Sequence, residues 1–152
     1  MEVLIITQLS KSIYGLWMKS SDKTISKDIP ALSKRYYDAI GEMPKSVLPF
    51  FVLSKDYDEA SGQFHLFVGG EVQHEQLDAH ELPAGDYGKI TVKPKLGFIW
   101  GLAIGEAKQY FYTKWLPASE YKALNMEYEY HTEKSIRKKP EIDILFLIEK
   151  RV

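Results

Sequence analysis

Two carboxylates and an imidazole stand at alternate positions in the stretch Met126-Glu-Tyr-Glu-Tyr-His131. In an extended strand alternate residues share a face. Glu127, Glu129 and His131 then project together, with Met126, Tyr128 and Tyr130 on the other side. Such a row has two readings. A strand edge shows its charges to water, whereas a pocket keeps a polar floor among aromatics. A carboxylate held in a low-dielectric groove is costly unless paired, so one kept there recognises a cation or moves a proton.

Little else in the chain offers chemistry. There is no cysteine, which excludes disulfides, thiolate nucleophiles and cysteine metal sites. His65, His74, His80 and His131 show no metal-ligand spacing, and His74 and His80 lie in a polar segment read as solvated. No metal and no cofactor are expected. Phosphate-cradling loops, nucleophile elbows and triad signatures are absent from the sequence. The net charge of −1 gives no electrostatic footprint for nucleic acid, and the basic run Lys134–Lys139 reads as a solvated loop.

Aromatic contact surface is abundant, with 10 Tyr, 7 Phe and 3 Trp. Trp17, Tyr36, Phe51, Phe67, Trp100 and Tyr110 are the candidates for a groove lining, core packing being the alternative for each. A cation over an aromatic face gains roughly 0.5–2 kcal/mol. An aromatic box holding one acid therefore suits delocalised or quaternary cations.

The elements that must position these groups follow from periodicity. The 152 residues, 45% hydrophobic and 27% charged, suffice for one folded domain with a real core. Val3–Gln8 and Ile13–Lys19 read as strands; Asp28 reads as the N-cap of a helix from Ile29 to Ile40, with Pro30 in its first turn and Gly41 ending it. Pro49–Leu53 and Phe64–Val72 are strands joined by the polar loop Asp56–Gly62. After the turn Leu82–Asp86 the order returns: strand Tyr87–Lys93, helix Phe98–Leu116, strand Met126–His131 and the apolar strand Ile142–Glu149. In the second helix Ile99, Leu102, Ala103, Ala107, Tyr110, Phe111 and Trp115 form the buried stripe. Gly97, Gly101 and Gly105 are read as close packing of that helix on the sheet.

The two units recur at an offset of roughly 75 residues, an internal duplication about 3–73 and 86–149. Two strand–helix–strand–strand units make an α+β domain of antiparallel sheet with both main helices on one side. The seam between them is a natural pocket. The N-terminus lacks a signal-peptide pattern, and the longest nearly apolar run, Leu96–Gly105, covers about half of the ~20 residues a spanning helix needs. A cytoplasmic protein without membrane contact is expected.

Several of these stretches together resemble the GyrI-like small-molecule-binding family, which includes effector-binding domains of AraC-type regulators and integron-cassette cationic-drug-binding proteins. The resemblance is carried by Ile13-Tyr-Gly-Leu-Trp-Met-Lys-Ser-Ser-Asp22, Ile29-Pro-Ala-Leu-Ser-Lys-Arg-Tyr-Tyr37 and the hairpin from Asp56 to Val72. Leu82-Pro-Ala-Gly-Asp-Tyr87, Tyr110 to Ser119 and Glu141-Ile-Asp-Ile144 extend it over nearly the whole chain. It implies a duplicated unit, an aromatic groove between the halves, and a buried glutamate, in an aromatic-Glu-x-Tyr setting, that pairs with cationic ligands. Glu129, preceded by Tyr128, is the better match for that residue, with Glu127 one strand repeat away. His131 stands where the family has tyrosine, and Ser33 where a tryptophan is common.

The expectation is a stand-alone binder of hydrophobic, cationic small molecules, without the helix-turn-helix module of the regulators and without direct nucleic-acid contact. A hydrolase acting on cyclopropane-type electrophiles through Glu129 or Glu127 is the alternative. A modulator directed at another protein, as the family's namesake is at gyrase, comes third.

Overall fold

The computed structural model describes residues 1–97 and 99–152. Eight strands form one antiparallel sheet: β1 (Leu4–Gln8), β2 (Lys11–Ser21), β3 (Phe50–Lys55), β4 (Gln63–Gly70), β5 (Asp78–Leu82), β6 (Gly85–Val92), β7 (Tyr121–His131) and β8 (Ile142–Lys150). Two helices complete it, α1 (Ile25–Ile40) and α2 (Trp100–Tyr110). The sheet order is β1-β6-β8-β7-β3-β4-β2-β5. Each half thus repeats one arrangement, β2-β4-β3 and β6-β8-β7, and the halves join where β3 pairs with β7.

Connection length forces this sheet to roll. In a flat sheet at ~4.8 Å per strand, β1 and β2 would stand about 29 Å apart. Only Leu9 and Ser10 link them, a reach of roughly 10 Å. Pro83 and Ala84 impose the same closure between β5 and β6. The result is a half-barrel. Its interior holds Ile13, Phe51, Leu53, Phe67, Tyr87, Met126, Tyr128, Leu145 and Leu147.

Both helices lie on the outer face. α1 buries Leu32, Tyr36 and Tyr37 against Val52, Leu66 and Val68. α2 buries Ala103 and Ala107, and the turn that follows it buries Phe111, against Ile90, Ile142, Ile144 and Phe146. Phe111 stacks on Phe146 at 3.8 Å between ring centroids. Gly88 makes room for that pair, since a Cβ there would stand 2.9 Å from the Phe111 ring.

Local boundaries depart from the sequence reading in several places. α1 starts a turn earlier, after Thr24 rather than Asp28, and Pro30 falls in its second turn. Asp28 is instead a buried acceptor for the hydroxyls of Ser20 and Thr24, at 2.7 and 2.6 Å. Those two bonds, opposed by burial, hold its carboxyl below the usual range. Gly41, in the left-handed region at φ 72°, closes the helix together with a bond from the Glu42 N–H to the Tyr37 carbonyl.

β5 is a strand that alternation did not announce, because its partner β2 supplies the pairing and its residues are mostly polar. It carries His80 onto Trp17 and Phe67, at 5.1 and 5.8 Å, so His80 is packed rather than solvated, and burial lowers its pKa, with Lys55 adding to the effect.

α2 runs from Trp100; Phe98, the expected start, lies outside the described residues. It passes into a π-helical turn, Phe111–Trp115, and a last turn, Leu116–Ala118. Among the described residues nothing lies within 4 Å of a Cβ added at Gly101 or Gly105, and Leu102 is 62% exposed. The glycines therefore do not pack α2 on the sheet; Ala103, Ala107 and Phe111 do.

Candidate functional site

The groove lies on the helix-bearing face, over the seam between the halves. Along β7, the alternation expected from sequence holds: Met126, Tyr128 and Tyr130 join the barrel interior, leaving Glu127, Glu129 and His131 on the helix side. A bulge fixes that phase. Ala123 pairs with Ile148 and Glu127 with Phe146, so β7 carries two extra residues there. Asn125, at φ 56°, sits in it, and its side chain clamps Tyr57 by bonds to the backbone N–H and carbonyl.

Opposite Glu127, Glu129 and His131 on β3 stand Ser54, Val52 and Phe50. The ring of Phe50 stacks on Tyr37 at 5.4 Å and meets His131 at 6.0 Å. These three rings, with Pro44, Lys45, Leu48, Trp100, Ser135 and Ile136, enclose a cleft of about 240 Å³. A wider depression of about 440 Å³ continues it past Gly97, Arg137 and Pro140.

The two glutamates have different partners. Glu127 receives the Tyr112 hydroxyl at 2.8 Å on one oxygen and the Lys108 ammonium at 2.9 Å on the other. Lys108 and Tyr112 are four residues apart, so both fall on one helix face, at the entry to the π turn. Burial works against the Lys108 charge, but the carboxylates of Glu127 and Glu129 outweigh it and hold its pKa above ordinary lysine. Burial, and then the Glu127 charge, push the Tyr112 hydroxyl up.

Glu129 is deeper, 7% exposed, and accepts from His131 Nε2–H at 3.1 Å. Burial alone would raise its carboxyl; the His131 bond and the Lys108 charge prevail and hold it below the usual range. It stands behind the imidazole, which lines the cleft. With Nε2–H committed to Glu129, the other ring nitrogen of a neutral His131 can accept, and no described residue donates to it.

The expected site residues thus divide. Glu127 and Glu129 share the groove face, and Trp100 lines the cleft. Tyr36 is buried in α1 beside Tyr37 and Phe50, and Tyr110 packs at the α2 side. Trp17, Phe51 and Phe67 lie on the opposite face, in the barrel interior, and so stand apart from Glu129. Phe50, not Phe51, faces the groove: β3 opens on an unbroken apolar run, and such a run hides which alternate set points where. Tyr37, Phe50, His131, Lys108 and Tyr112 complete the arrangement. The Lys108–Tyr112 spacing was a usable signal, a charged group four residues from a hydroxyl on a largely apolar helix.

No family model matches the chain, and no curated protein matches it significantly. Solved structures do. SAV2435, determined bound to tetraphenylphosphonium, superposes with a TM-score of 0.72 at 10% identity, over 98% of this chain and 94% of that one. The integron cassette protein VCH_CASS2 of Vibrio cholerae gives 0.67 at 15% identity, over 97% and 95%. The C-terminal domain of EcmrR gives 0.64 at 14%, over 99% and 98%. Identities this low speak for the fold, and the whole length of the chain takes part. This antiparallel half-barrel with one helix over each half is the GyrI-like fold, as the sequence motifs anticipated.

Proposed function

We propose that the protein binds hydrophobic, cationic small molecules in the groove between α1 and α2. The observation that carries this reading is a carboxylate, Glu129, buried at an aromatic cleft and reached through a single imidazole. Tyr37, Phe50 and Trp100 would supply contact area and ring faces; Glu129 would supply charge. SAV2435, with its bound tetraphenylphosphonium, supports the ligand class. On this reading the chain is one cytoplasmic domain of two pseudo-repeats, acting as an effector- or drug-binding module.

Titration with the fluorescent cation rhodamine 6G tests it. Saturable binding that weakens at least tenfold in Glu129→Gln is expected. Unchanged affinity in the variant would remove Glu129 from recognition, and no binding would defeat the proposal.

The Glu129–His131 pair favours one second reading. A carboxylate that fixes an imidazole tautomer is the arrangement of a general base, and with water in the cleft it would open a strained electrophile. Product formed from a cyclopropane-bearing electrophile, and lost in both Glu129→Gln and His131→Ala, would establish that activity.

A further inference from the structure

The basic run Lys134–Lys139, read from sequence as a solvated loop, does not lie apart from the groove. Arg137 lines the wider part of the cleft, and Lys45, from the loop after α1, lines both parts. Among the described residues no carboxylate lines either part. The charged groups a ligand meets on entry are therefore cations.

Their charge is not cancelled locally. Glu141 alone serves both Arg137, at 3.5 Å, and Lys134, at 4.0 Å, one negative charge against two positive. Lys45 takes part in none of the ion pairs among the described residues. Its backbone is held in the left-handed region at φ 68°, a conformation costly for a side chain of this kind and found where surrounding structure imposes it. Lys45 lines the cleft together with Tyr37, the ring that walls it. At the other end stand His131 and, behind it, Glu129. The cleft thus runs from a positive mouth to the His131–Glu129 pair at its other end, with Tyr37, Phe50 and Trp100 between.

We propose that the cleft selects zwitterionic aromatic ligands, whose cationic end approaches the His131–Glu129 pair while an anionic group is held at the mouth by Lys45 and Arg137. This rests on the groove being the ligand site and adds the requirement for an anion. A purely cationic compound leaves the mouth charges unanswered and is repelled by them on entry; a compound bearing a carboxylate turns that repulsion into attraction.

Rhodamine 6G and its free acid, rhodamine 19, differ only in an ethyl ester replaced by a carboxylate, and fluorescence titration of the two separates the claims. The free acid is expected to bind about two- to fivefold more tightly at low salt, the scale of one exposed ion pair. The preference should shrink as ionic strength rises. The double variant Lys45→Gln, Arg137→Gln should abolish the preference while still binding the ester, which also shows the variant to be folded. Equal affinities in the wild-type protein, or a preference for the ester, would overturn the inference and leave the groove reading standing. A preference for the acid that survives in the double variant would overturn the assignment to these two residues. Failure of both dyes to bind would overturn both claims.

Discussion

Glu127 and Glu129 were alike in the sequence, two acids on one strand face, and the fold gives them different work. Glu127 is a tether: it takes the Tyr112 hydroxyl and the Lys108 ammonium and so ties α2 to β7. Replacing Lys108 by Met leaves that carboxylate partly buried without its cation, and a loss of about 1–3 kcal/mol in urea unfolding is expected. Among the described residues, the polar partner in direct contact with Glu129 is the His131 imidazole. Its carboxyl sits below the ordinary 4.5 in the folded chain, so the stability it contributes is present above that range and is lost as pH falls through the folded value. Glu129→Gln should therefore flatten the acid limb of a stability-versus-pH profile below the ordinary carboxylate range. A profile as steep as that of the wild type would contradict the pairing with His131.

At the scale of the element, α2 holds the groove through three small or stacked contacts, Ala103, Ala107 and Phe111, while its glycines face water. Gly105→Ala in this exposed interior position is expected to stabilise the protein by about 0.5–1 kcal/mol, read by thermal or urea unfolding; a loss would mean the helix packs more closely than the structure indicates. Phe111→Ala, which empties the stack on Phe146, should cost about 3–5 kcal/mol. Both results bear on what the sequence disclosed. Tyr87–Lys93 and Met126–His131 alternate, so their faces were legible. The apolar runs at Phe50 and the Gly-rich start of α2 were not, because several helical or strand phases fit them equally. β5 was hidden for a different reason: its pairing with β2 is a tertiary fact that a polar pentapeptide does not advertise.

The molecule as a whole places its binding surface by closure. Two short links, Leu9-Ser10 and Pro83-Ala84, roll the sheet until one face becomes a filled interior, and the proposed groove lies on the outer face between the two helices. The order of strands and helices was legible because each half repeats it. The partition of aromatics between interior and groove was not, since it depends on curvature: Trp17 and Trp100 have the same residue type and opposite destinations. Among the described residues no helix is long and apolar enough to cross a membrane, and the groove is open to solvent at Lys45, Ile136 and Arg137.

These opposite destinations supply the most direct test of the groove as the ligand site. In a titration with tetraphenylphosphonium followed by nitrogen–proton NMR, the indole N–H of Trp100 and the ring signals of His131 are predicted to shift saturably, with one dissociation constant, while the indole of Trp17 stays in place. A saturable shift at Trp17 with Trp100 and His131 unmoved would put the ligand on the other face and contradict the account.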